Sequence, residues 1–228
     1  MVRILRLYAI FHCDTGHIGA YLIYRISTMI QTSSRYTKTA VVLHWLIAIF
    51  VVVMFAIGWF MADIPKEGPK QSAYDFLNLG IYTWQLSEEV TARTFYFNLH
   101  KSLGITIFAL IALRIFWRIT HKPPSMLTSY KVIERKVATG THHLLYLLMI
   151  AVPITGLITG ITSKYGLKWF GITIIEGLAN KAVHEASASA HEVLTFIFLA
   201  LIVLHIVGAI KHKFVDKDGT MQRMSIFK

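Results

Sequence analysis

The stretch HEVLTFIFLALIVLHIVGAI, residues 191–210, decides the fold. Between His191 and His205 run thirteen residues of which only Glu192 and Thr195 are polar. As a helix, a stretch of about 20 such residues reaches ~30 Å, the thickness of a bilayer's hydrocarbon. The expectation is a membrane-spanning helix. Its two histidines are fourteen residues apart, close to four helical turns, so they share one face about 21 Å apart, one near each membrane surface.

Three further apolar stretches of the same kind lie upstream, at Ala40–Met61, Leu99–Ile119 and His143–Thr162. A chain of 228 residues with 55% hydrophobic and 15% charged residues and a mean hydropathy of +0.55 is too apolar for a soluble domain of this size. The predicted class is all-α, an integral membrane four-helix bundle at residues 40–212. Residues 1–39 carry apolar pieces interrupted by His12, Asp14, His17 and Arg25, and are read as a cytoplasmic or interfacial extension. Residues 213–228 form a basic tail. The first span starts too late and is too long for a cleaved signal core.

Basic residues give the orientation. Five Lys/Arg precede the first span, six lie from Arg114 to Lys136, and five run from Lys211 to Lys228. The other two connections hold fewer, so both termini are expected in the cytoplasm. The net charge of +11 then reflects topology and anionic lipid, and no nucleic-acid partner is called for.

The connection at 62–98 is long and is read as an insertion on the outer side. Within it Ala73–Leu86, with Tyr74, Phe76, Tyr82 and Trp84, is expected at the membrane surface, where aromatic rings favour the headgroup region. The connection Ser163–Ala190 reads as turns and an interfacial anchor. Pro153 predicts a kink in the third span, and the neighbouring Gly156 and Gly160 read as close-packing positions.

A histidine inside an apolar span is costly and points to a partner. His44 lies near the inner end of the first span and His100 near the outer end of the second. Helix direction then pairs His44 with His205 on the cytoplasmic side and His100 with His191 on the outer side. Two imidazoles from facing helices suit the axial positions of a haem iron. Tetrahedral zinc would ask for about four ligands, whereas each level offers two histidines and no cysteine. A lone Cys13 and the absence of a C-x-x-C-H motif leave noncovalent haem b, one at each level.

Other groups read two ways. Lys101 either faces an anion at the outer surface or marks the membrane boundary. Arg114 and Arg118 either pair with haem propionates or reach lipid headgroups. His142, with His143, either anchors the start of the third span or meets a propionate or quinone. His184 competes for the outer haem, but its polar surroundings place it above the membrane. Gly104, one turn after His100, serves a macrocycle or helix packing equally well.

Tyr36-Thr37-Lys38 with Leu43-His44-Trp45-Leu46, His100 with Gly104, and His142-x-x-x-Tyr146 leading to Ala151-Val152-Pro153 together resemble the bacterial cytochrome b561 family. So does the closing block of His191-Glu192, His205, His212, Lys217-Asp218-Gly219-Thr220 and Arg223-Met224. The resemblance covers about residues 35–228. It implies a four-helix, two-haem protein of the bacterial inner membrane with His44, His100, His191 and His205 as iron ligands. It also implies exchange with the quinone pool, and some members of the family resemble superoxide oxidases that pass electrons from superoxide to ubiquinone. The extension and the long outer insertion depart from the family pattern and bear on access to the outer haem.

With both axial positions filled, the iron suits electron transfer rather than oxygen activation. The expected function is a membrane electron-transfer cytochrome working to or from quinone. The alternative is a haem-binding anchor subunit that docks a soluble redox partner, a dehydrogenase or hydrogenase. A transporter would need acidic or broken-helix sites near mid-membrane, and the spans show no carboxylate there.

Overall fold

The structure is a computed structural model and describes residues 35–75, 77, 79–125 and 131–226. Most of the predicted N-terminal extension, including His12 and His17, lies outside the described residues.

Four helices run through the chain: α1 (Lys38–Ala62), α2 (Ala92–Thr120), α3 (Val132–Thr162) and α4 (Lys181–Lys211). With 25, 29, 31 and 31 residues, each exceeds the roughly 20 that cross a bilayer. All four are long and apolar enough to span a membrane. Their outer surfaces would be untenable in water: Val52 is 67% exposed, Phe116 63% and Ile119 77%. Lipid chains are the solvent for such a surface.

Capping places the helix starts, and each start falls earlier than apolarity alone suggests. Thr37 accepts from the Ala40 amide at α1, Thr91 from Thr94 at α2, and Asn180 from Val183 at α4. At α3 the Glu134 carboxylate accepts from the Lys131 amide. The sequence reading began the fourth span at residue 191. In the structure α4 starts ten residues sooner, because Ala182, Ala186, Ala188 and Ala190 favour helix without adding the bulk that marks a span.

α1 packs on α2, α2 on α3 and, most extensively, α3 on α4. Ile47, Ile107 and Ile111 fill the α1/α2 seam. α1 meets α4 mainly through rings, with Phe55 and Phe198 at 6.4 Å between centroids.

Both connections at one end of the bundle fold into antiparallel hairpins, where the sequence predicted an interfacial segment and turns. The first pairs β1 (Lys70–Asp75) with β2 (Thr83–Thr91), and the second β3 (Leu167–Trp169) with β4 (Ile172–Ile175). Long-range contacts, invisible to helical periodicity, hold both. Tyr74 stacks on Phe95 at 4.7 Å and donates to the Val90 carbonyl, while Tyr96 accepts from the Leu77 amide and donates to the Asp75 carbonyl. The buried Ser102 donates to the Lys168 carbonyl and accepts from the Phe170 amide, which seats the second hairpin on α2.

The opposite end, which carries the C-terminal tail, is tied by that tail. After α4 comes a π-turn at His212–Asp216 and a short 3-10 helix at Met221–Met224. Arg35 donates to the Gln222 carbonyl at 2.7 Å, and the Trp45 indole donates to Met224 at 2.9 Å. The turn between is built on Asp218, which accepts from the Thr220 amide and hydroxyl and faces His212 Nδ1 at 2.7 Å.

Burial by itself would raise the Asp218 carboxyl, but the donors from Thr220 and His212 outweigh it and hold the group below its usual value of 3.8. Its pKa is therefore lower folded than unfolded. The stability it contributes is present above the unfolded value and is lost as pH falls through the folded one. Acidification below about pH 4 is expected to release the tail from α1. Fluorescence of Trp45, read against an Asp218→Asn variant that lacks this pH dependence, checks it.

Candidate haem sites

α1 and α4 run in opposite directions, and their histidines meet by depth. His44 lies six residues after the start of α1 and His205 six before the end of α4, each about 9 Å into the bundle from the tail end. Their ring centroids are 6.2 Å apart with planes at 79°. At the hairpin end, His100 of α2 and His191 of α4 stand 6.4 Å apart with planes at 89°. Both couples predicted from helix direction come within ring-contact range.

The hairpin-end couple is closely supported. His191 Nδ1 lies 2.9 Å from the Val152 carbonyl and 3.2 Å from the Thr155 hydroxyl, both on α3. A side chain on Gly156 would press on the same ring, its Cβ 3.0 Å from His191 Cε1. Gly58 of α1 leaves ordinary room beside His100, a Cβ there being 3.6 Å from the ring. His100 Nδ1 is buried without a hydrogen-bond partner.

At the tail end a third imidazole approaches: His142 of α3, ring centroid 5.3 Å from that of His205. It lies well inside α3, eleven residues from Lys131, rather than at the start of a span as the sequence suggested. Arg114 of α2 is within electrostatic reach of His44, His142 and His205. Its guanidinium carbon sits 5.9 Å from the Tyr146 ring centre, and its Nε is buried without a partner. A buried guanidinium donor in this setting calls for an acceptor. Arg118 is exposed, with His142 within electrostatic reach.

Two other sequence candidates are engaged elsewhere. Lys101 donates to the Gly166 carbonyl at 2.9 Å and helps hold the second hairpin. His184 belongs to the first turn of α4, where Nδ1 faces the Thr159 carbonyl at 3.0 Å. A Cβ on Gly104 would meet the end of the Met54 side chain at an ordinary 3.6 Å. Of the pair read as packing positions, Gly160 accommodates Leu167 whereas Gly156 accommodates His191. The Val152 carbonyl could not be anticipated, since a backbone acceptor carries no sequence signal.

The model of the prokaryotic cytochrome b561 family matches residues 35–225. The chain belongs to this family. "Cytochrome b561 homolog 2" of Escherichia coli (strain K12) is 32% identical over 196 residues, which cover 85% of this chain and 93% of the relative. "Cytochrome b561 homolog 1" of the same organism is 25% identical, covering 84% and 97%. "Probable superoxide oxidase CybB" of Yersinia pestis is 24% identical over 193 residues, covering 83% and 95%. As a prokaryotic cytochrome b561 the chain is a bacterial membrane haem protein of electron transfer, and haem b is the group the family binds.

Proposed function

We propose that this chain holds two haem b groups, one between His44 and His205 and one between His100 and His191, and carries electrons between the hairpin face and the quinone pool. The spacing of the two couples carries the reading. Two metal–imidazole bonds of about 2 Å, plus about 1 Å from each nitrogen to its ring centre, separate coaxial ligand rings by roughly 6 Å. Couples at 6.2 and 6.4 Å suit that requirement, whereas His142 and His205 at 5.3 Å are too close to share an iron.

Haem held by these histidines would supply a one-electron Fe(III)/Fe(II) couple suited to outer-sphere transfer. The chain's own residues do the rest. Arg114, with its unpartnered Nε, is placed to hold a propionate at the tail end. The second hairpin is pinned to Ser102 and Lys101, the residues that follow His100 on α2. The apolar walls of α1, α2 and α4 lower the local dielectric around both couples.

The Lys/Arg distribution supports an inner-membrane protein with both termini in the cytoplasm, which makes the hairpin end periplasmic. The name of the Yersinia pestis relative supports superoxide as the donor. In that form two superoxide anions become two O2, and the two electrons with two protons convert ubiquinone to ubiquinol.

Pyridine haemochrome analysis with redox titration tests the reading. The expected result is two low-spin haem b per chain, reduced by superoxide or a quinol in the purified single polypeptide. A colourless, folded preparation from haem-replete cells would overturn it. Reduction only in a complex with a soluble dehydrogenase would favour the anchor-subunit alternative.

A further inference from the structure

We propose that the turn Val152–Gly156 of α3 is the seat that sets the tautomer and basicity of His191, making it the stronger-donating ligand of its couple. This rests on the haem reading above and goes beyond it in assigning a role to α3, which supplies neither ligand of that couple.

The chemistry follows from the partners of Nδ1. A carbonyl oxygen can only accept, so the 2.9 Å contact with Val152 requires the proton to be on His191 Nδ1. The Thr155 hydroxyl, 3.2 Å away, has its own acceptors in the Ala151 and Val152 carbonyls at 3.0 and 2.8 Å. Its lone pair is what it offers the ring. Nε2 is then the unprotonated nitrogen, with its lone pair available to a metal.

An imidazole that donates its other N–H to a carbonyl is a more basic ligand, and a more basic ligand favours ferric iron. His100 differs, since its Nδ1 is buried with no partner. The couple is therefore asymmetric, with the α3 turn holding its potential down from the His191 side. Gly156 keeps this contact unstrained: an added Cβ would lie 3.0 Å from Cε1 and 3.2 Å from Nδ1, tighter than ordinary contact, and would press the ring off its present seat against the Val152 carbonyl. Gly58 provides the matched control, because the space beside His100 admits a methyl group.

The bland account is that His191 is a satisfied polar residue gluing α4 to α3. That account predicts altered stability and nothing at the iron. The test uses the full-length holoprotein in detergent or nanodiscs, with haem content, redox titration and ferric EPR read on Gly156→Ala and Gly58→Ala. Expected for Gly156→Ala is an upward shift of one redox component with a changed low-spin g value, the other component unmoved. Loss of that one component alone would equally place Gly156 behind His191. Gly58→Ala is expected to match wild type.

Unchanged potentials and g values in Gly156→Ala, or equal shifts of both components, would overturn the proposal. If that variant fails to accumulate, difference infrared spectroscopy of wild type carrying 15N-histidine decides: a strongly hydrogen-bonded Nδ1–H on one ligand supports it, and its absence overturns it. A wild-type protein without two haems would instead sink the reading underneath, so the two failures are distinguishable.

Discussion

Replacing His205 by alanine is expected to remove one of two haems, halving the pyridine haemochrome signal per polypeptide while the other redox component persists. Among the described residues His205 is the ring common to both close imidazole approaches at the tail end, 6.2 Å from His44 and 5.3 Å from His142. His44→Ala is expected to lose the same component. His142→Ala is expected to retain both, because His142 is exposed and stands nearer to His205 than a shared iron permits. Retention in His44→Ala with loss in His142→Ala would reassign the couple. The hairpin-end component serves as the internal control for folding in each variant.

Gly166→Val is expected to unseat the second hairpin and lower the stability of the hairpin end by about 3 kcal/mol or more. Two effects add. Gly166 has φ +64°, a conformation that a β-branched side chain resists, and a Cβ there would collide with the Ile175 carbonyl oxygen and come 2.7 Å from the Gly177 amide. The nearest atoms are all backbone, of the segment 175–177, which leaves no flexible side chain to yield. The Gly166 carbonyl is also the acceptor for Lys101, so a displaced turn frees that ammonium beside His100. Thermal unfolding and limited proteolysis between Ser163 and Asn180 check the loss. Protease resistance and an unchanged melting point would show that the turn tolerates the side chain.

The spans, their number and the nearness of His44 to His205 and of His100 to His191 were legible in the sequence. A run of apolar residues long enough for the bilayer has few other solutions, and alternating helix direction orders histidines by depth without any coordinates. The helix starts were less legible, since Ala-rich and capped turns are helical without being apolar. His142 therefore moved from the edge of a span to well inside α3, and His184 from a loop to the first turn of α4.

Sequence by itself determined a four-span membrane protein with two couples of intramembrane histidines, because hydrophobic length and helical period are properties of the local chain. Tertiary structure alone decided that the α1–α2 and α3–α4 connections fold as hairpins at one end of the bundle, and that the tail returns to grip Arg35 and Trp45. It also decided that Gly156 and the Val152 carbonyl hold His191. Those features depend on backbone acceptors and on contacts between residues tens to hundreds of positions apart, and neither carries a periodicity that a linear reading can detect.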